Sequence, residues 1–176
     1  MSKNISDSLE FLFGRRSIRT YAPGEVNEAA VKTLLEAAMA APSAAAKDPW
    51  RFVVIRDRAK LGEIAAALPN GQMIGGAALG IAVCGELSAA HDQQLSYMLQ
   101  DCSAAIENLL LATHILGLGA CWLGVHPREQ RVSALRQILK LPATVTPIAC
   151  IAIGKPGERK EARTRFNPDY VRYETW

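Results

Sequence analysis

Several things are scarce in this 176-residue chain, and each scarcity weighs against a class of function. Its four cysteines, Cys84, Cys102, Cys121 and Cys150, include no C-x-x-C pair, and each sits in an apolar stretch. That spacing argues against an iron–sulfur cluster or a structural zinc site and reads as buried, reduced thiols. The three histidines, His91, His114 and His126, show no metal-ligand spacing, and there is no H-E-x-x-H. No G-x-S-x-G and no G-x-G-x-x-G occurs; Gly75-Gly76 and Gly117-x-Gly119 are too sparse for a dinucleotide fingerprint. No apolar run reaches the ~18 residues of a membrane span. The net charge is only +3 and aromatics make up 6% of the chain. Nucleic-acid binding would need focused charge interleaved with stacking rings, and neither arginine cluster has them.

What is plentiful is apolar residues, at 49%. That is enough for one domain over residues 1–176 with its own core. Asp7, Glu10, Arg15 and Arg16 interrupt the apolar residues near the start, so no signal peptide is read there and the cytoplasm is the expected compartment.

Hydrophobic spacing gives the order of elements. Residues 6–14 read as a short helix capped by Ser6 and closed by Gly14. Residues 28–41 read as a helix with Asn27 as N-cap and Val31, Leu34, Leu35, Ala38 and Met39 on one face, stopped by Pro42. A strand over 51–55 precedes a helix from Asp57 to about 68. Asn70-Gly71 is a turn signal, and 79–84 is an apolar strand buried on both faces. Residues 93–116 form a long helix whose apolar positions cover more than one face, which favours an oligomer interface. Strands over 120–125 and 147–154 flank a helix over 127–140. Cys121 and Trp122 read as apolar filling. The expected class is α+β, a small mixed sheet packed by helices. The tail, 155–176, carries Phe166, Tyr170, Tyr173 and Trp176, which docking on a partner subunit would bury.

Two segments carry chemistry. Arg15-Arg16-Ser17-Ile18-Arg19 clusters cations around a hydroxyl, a donor set suited to a phosphate. Ala41-Pro42-Ser43-Ala44 with Pro49-Trp50 is a small-residue loop that lets backbone approach a flat ligand. With Gly117-Leu118-Gly119-Ala120-Cys121-Trp122-Leu123-Gly124 and Ile153-Gly154-Lys155-Pro156, these segments resemble, in order, the FMN-dependent nitroreductase family.

The resemblance implies a domain-swapped homodimer with FMN at the interface. By it, Arg15 and Ser17 hold the FMN phosphate, with Arg16 adding contacts, and Arg19 faces the N1/O2 edge of the ring, where a cation stabilises reduced flavin. Pro42, Ser43 and Ala44 contact the flavin from the other subunit. Leu123 and Gly124 place backbone N–H groups near N5 and O4. Asn70 and Gln72 are candidates by position for the pyrimidine edge, and Arg163 and Arg165, the latter favoured, for closure over the phosphate. Ala46 and Asp48 depart from the family's asparagine and glutamine. The implied activity passes hydride from NAD(P)H through FMN to a nitroaromatic, quinone or similar electron acceptor, with no side chain assigned as acid or base. The alternatives are a flavin-binding dimer without turnover and a specialised member such as a dehalogenase or flavin-cleaving enzyme.

Overall fold

A computed structural model describes residues 9–176; the expected Ser6 cap lies outside them. Among the described residues the first helix, α1, covers Glu10–Gly14 and hands the chain to an extended Arg15. A short strand, β1 (Tyr21–Ala22), follows. Helix α2 (Glu28–Met39) begins where the Asn27 side chain accepts the Ala30 N–H at 2.8 Å. Such a cap contributes about 1 kcal/mol. The helix stops two residues short of the expected end because the residue before Pro42 is disfavoured in the α region.

Strand β2 (Trp50–Ile55) leads to α3 (Arg58–Ala67), capped by the Asp57 carboxylate on the Lys60 N–H. Strand β3 (Leu79–Glu86) runs two residues beyond its expected end, because Gly85 still pairs with Trp50 of β2. Helix α4 (Leu95–Ile115) is the longest. It ends in a Schellman arrangement: the Leu118 N–H reaches the Thr113 carbonyl, the Gly117 N–H reaches that of His114, and Gly117 takes φ 71°. That turn delivers the chain into β4 (Gly119–Gly124). Helix α5 (Glu129–Leu139) and strand β5 (Val145–Pro156) complete the order.

Strand β5 is the sheet's axis. One of its edges carries β3 and then β2; it also pairs with β4 along Ala149–Gly154 and with β1 at Lys155 and Pro156. These ladders are antiparallel, and the parallel pairing that makes the sheet mixed is a bridge between Ser17 and Ala120.

Side chains alternate across this sheet and split the core in two. Leu79, Ile81, Val83, Ile151 and Ile153 pack with Val31 and Leu34 of α2 and Cys102, Ile106 and Leu109 of α4. Ala82, Cys84, Cys150, Ala152, Cys121 and Leu123 pack with Leu61 and Ile64 of α3 and Leu135 of α5. Strand β3 is buried on both faces, as its continuous apolar run predicts. Each fully buried Leu or Ile contributes roughly 1.5–3 kcal/mol.

Trp122 corrects the sequence reading. Cys121 and Leu123 are buried, and the pleat turns Trp122 to the opposite face, where it is 37% exposed. Helix α4 keeps apolar surface uncovered at both ends, through Leu95, Tyr97, Ile115 and Leu116. In the tail, Phe166, Tyr170, Tyr173 and Trp176 are all exposed. Among the described residues, no helix is long and apolar enough to cross a membrane.

Candidate cofactor-binding site

The N-terminal cation cluster and the basic tail, about 145 residues apart in sequence, face one cleft. Arg15, Arg16, Ser17 and Arg19 line it from one side, and Lys160, Arg163, Thr164 and Arg165 from the other, around about 630 Å³. Five guanidinium groups around a hydroxyl make a donor set for a phosphate monoester. A larger adjoining cleft of about 1240 Å³ shares Arg15, Arg16 and Lys160 and adds apolar walls from Phe11, Ile18, Leu110 and Leu118.

The positions of these residues are fixed by β4. The Ile18 N–H donates to the Ala120 carbonyl at 2.9 Å, and this one bridge ties segment 15–19 to that strand. Gly119 permits the approach: a Cβ there would lie 2.8 Å from Ile18 Cγ2. Ile18 is buried, while Ser17 and Arg19 on either side line the cleft. Arg15 is oriented by Glu107 of α4, with Nε 3.2 Å from the carboxylate, and Arg16 donates to the Glu161 carbonyl. The half-buried Tyr21 hydroxyl lies 2.9 Å from the Ile18 carbonyl and 3.1 Å from that of Ala152; desolvation raises its pKa. Burial also raises the Cys121 thiol, opposed by the charges of Arg19 and Lys160.

Leu123 and Gly124 lie at the other end of β4, about 10 and 13 Å from Ala120 at the usual strand rise. The Gly124 carbonyl accepts from Arg131 at 2.9 Å, and a Cβ on Gly124 would meet nothing within 4 Å, so its outer face is open. Asn70 and Gln72 are exposed on the turn beside this end, where a Cβ on Gly71 would come 3.2 Å from Leu123.

Pro42, Ser43 and Ala44 line neither cleft within one chain. Their loop is held by its own contacts. The Ser43 hydroxyl and the Asp48 carboxylate are 2.5 Å apart, the Asp48 N–H returns to Ser43 Oγ, and the Ala44 N–H donates to Asp101 Oδ1 at 3.0 Å. Ala45, Ala46 and Asp48 all take positive φ near 50°. Asp101 is buried on α4, and its second oxygen finds no partner among the described residues.

Sequence reasoning missed Glu158, Lys160 and Asp101. Glu158 Oε1 accepts the Arg19 N–H at 2.5 Å and the Thr20 N–H at 3.2 Å, and Lys160 bridges Glu158 and the Ser17 carbonyl. A mixed-charge tail gave no signal for these roles. Asp101 could have been found as the acidic position interrupting an apolar helix face.

The residues present fit FMN: a cationic cleft for a phosphate at one end of β4, and an open glycine face at the other. Among the described residues, no cluster could hold a metal ion.

A family model described as the nitroreductase family matches residues 12–72 and 65–155. A relative from Archaeoglobus fulgidus, provisionally named an NADH dehydrogenase/NAD(P)H nitroreductase, is 40% identical over 98% of this chain and 100% of its own length. A similarly named crystal structure from Bacteroides thetaiotaomicron superposes with a TM-score of 0.91 at 35% identity, covering 99% of this chain and 100% of that one. A provisionally named nitroreductase from Desulfovibrio desulfuricans, solved in complex with FMN, superposes with a TM-score of 0.84 at 32% identity, covering 99% of each chain. Matches of this length and identity leave one conclusion: the chain belongs to the nitroreductase family.

Proposed function

We propose that this protein is an FMN-dependent oxidoreductase acting as a homodimer. The carrying observation is the cleft in which Arg15, Arg16, Ser17, Arg19, Arg163 and Arg165 converge at one end of β4. Support comes from the open Gly124 face at the other end, from an FMN complex at 32% identity, and from relatives named for NAD(P)H. In this reading Arg15, Arg16, Ser17 and the two tail arginines hold the phosphate. Arg19 faces the pyrimidine edge from the Ala120 end of β4, Asn70 and Gln72 approach it from the turn beside Leu123, and the Leu123 and Gly124 backbone faces the ring centre. Bound FMN would supply hydride transfer from NAD(P)H to an electrophilic acceptor such as a nitroaromatic or quinone.

The protein's part is binding, orientation and charge. Fixed arginines attract the dianionic phosphate, and Arg19 favours the flavin's anionic reduced form. No side chain needs to act as acid or base in hydride transfer. Pro42, Ser43 and Ala44 do not reach the cleft of their own chain, so they are assigned to the site of the second copy. The uncovered ends of α4 and the exposed tail rings supply apolar surface for that pairing. The whole chain acts as one domain, with residues 155–176 docking on the partner. The four buried free thiols suit a reducing cytoplasm.

The test is the visible spectrum of purified protein supplied with FMN, before and after anaerobic NADPH or NADH. Yellow protein that bleaches supports the reading. Yellow protein that neither nicotinamide bleaches would make it a flavin carrier without turnover, and a colourless protein with excess FMN would overturn it.

A further inference from the structure

Segment 17–20 is extended, with one bridge to the sheet, yet six of its eight backbone N–H and C=O groups have partners. The Ile18 N–H goes to Ala120, and the Ile18 carbonyl lies within reach of the Tyr21 hydroxyl. The Thr20 carbonyl accepts the Gly157 N–H at 2.8 Å. Three further groups are met by two charged side chains of the loop after β5. Glu158 Oε1 takes the N–H groups of both Arg19 and Thr20, and Lys160 Nζ sits 3.1 Å from the same oxygen while donating to the Ser17 carbonyl at 2.8 Å. One carboxylate oxygen therefore meets three donors. An ammonium has three N–H groups, and two of these are used here.

We propose that Glu158 and Lys160 are positioning residues: a charged clasp that fixes the backbone of segment 17–20 and thereby sets the cationic cleft's affinity for a phosphate monoester. The inference rests on the FMN reading above. Ile18 is anchored inward, so alternation along an extended segment turns Ser17 and Arg19 toward the cleft they line. Without the clasp, two N–H groups and one carbonyl lose their partners, and the segment keeps only its bridge to β4, the Gly157 N–H on the Thr20 carbonyl and the Tyr21 hydroxyl on the Ile18 carbonyl.

The sign of the effect separates this role from a simple charge effect. Glu158 is a negative charge beside an anion site. If charge alone mattered, its removal would tighten phosphate binding. The clasp requires the opposite.

The experiment measures FMN affinity by quenching of flavin fluorescence at fixed salt, with hydrogen exchange of the Arg19 and Thr20 amides followed in the ligand-free protein. In E158A, FMN affinity is expected to fall about tenfold or more, the usual consequence of losing hydrogen bonds to a charged acceptor. Both amides should exchange faster. K160M should also weaken binding, and the double variant should lose little beyond either single change, because the two side chains act as one unit. Riboflavin, which lacks the phosphate, should lose less affinity than FMN. E158D keeps the charge but withdraws the oxygen by one methylene, so it decides the matter should E158A not fold. The clasp predicts weaker binding in E158D, and a charge effect predicts wild-type affinity. Equal or tighter FMN binding in folded E158A or E158D, or unchanged amide exchange, would overturn the proposal. Wild-type protein that binds no FMN would overturn the functional reading instead, and the amide exchange in the ligand-free variants would still decide whether the clasp exists.

Discussion

Two single positions decide how the cation cluster meets the sheet. Gly119 leaves room for Ile18, and a Cβ there would come within 2.9 Å of two Ile18 atoms. Gly119→Ala should therefore displace segment 17–20 and cost about 1–3 kcal/mol, as overpacking usually does. Urea denaturation reads the stability change, and a fall in FMN affinity should accompany it. Glu158 gives a pH signature. The Arg19 N–H, opposed by partial burial and aided by Lys160 and Thr20, holds its carboxyl below the ordinary glutamate range. A depressed folded pKa contributes stability that is present above the unfolded value of about 4.3 and is lost as pH falls through the lower folded value. Replacing Glu158 with Gln should flatten the acid limb of the stability profile below about pH 4.3 and leave its slope near neutrality unchanged. Equal acid limbs in both proteins would count against this contribution.

At the scale of elements, helix α5 ends on a left-handed lysine. Lys140 takes φ 53° and caps the helix through Arg136 and Gln137. Glycine suits that conformation, so Lys140→Gly should stabilise the protein by about 0.5–1 kcal/mol. A raised urea midpoint with unchanged m-value is the expected result. The loop after α2 concentrates more of the same strain, with Ala45, Ala46 and Asp48 all at positive φ. Such strain persists only where surrounding contacts enforce it. Here those contacts are the Ser43–Asp48 pair and Asp101 beneath Ala44. Asp48 thus closes its own loop, a role the residue type alone did not reveal. The central strands and α4 hide their thiols as well. Burial pushes Cys84, Cys102 and Cys150 up to about 12. A raised folded pKa means stability that holds below the unfolded thiol value of about 8.5 and declines as pH rises from there toward the folded value. Native protein at pH 8 should react slowly with a thiol-specific disulfide reagent, and all four cysteines should titrate after denaturation. Rapid reaction of the native protein would show that these strands open readily.

At the scale of the whole molecule, a single copy leaves apolar surface exposed. The tail rings Phe166, Tyr170, Tyr173 and Trp176 are at least 79% exposed, and Ile115 at the end of α4 is 64% exposed. Deleting residues 167–176 leaves every arginine of the cleft in place and removes three of those rings. Sedimentation should then show weaker self-association than in the intact chain. An unchanged dimer would show that Tyr170, Tyr173 and Trp176 are not needed for the interface.

Local sequence chemistry was enough to order the elements. Asn27 and Asp57 capped the helices expected of them, the continuous apolar run of β3 marked a strand buried on both faces, and Pro42 ended α2 within two residues. These features depend on neighbours in the chain, so the chain displays them. The cationic segments were visible for the same reason, since guanidinium groups next to a hydroxyl form a donor set suited to a phosphate. Tertiary structure alone decided which cations share a cleft, that Glu158 and Lys160 hold segment 17–20, that Asp101 lies under the strained loop, and that Trp122 faces outward. Those outcomes depend on contacts between residues tens to more than a hundred positions apart. Only the paired sheet, with β5 between β3 and β4, brings such residues within hydrogen-bond reach.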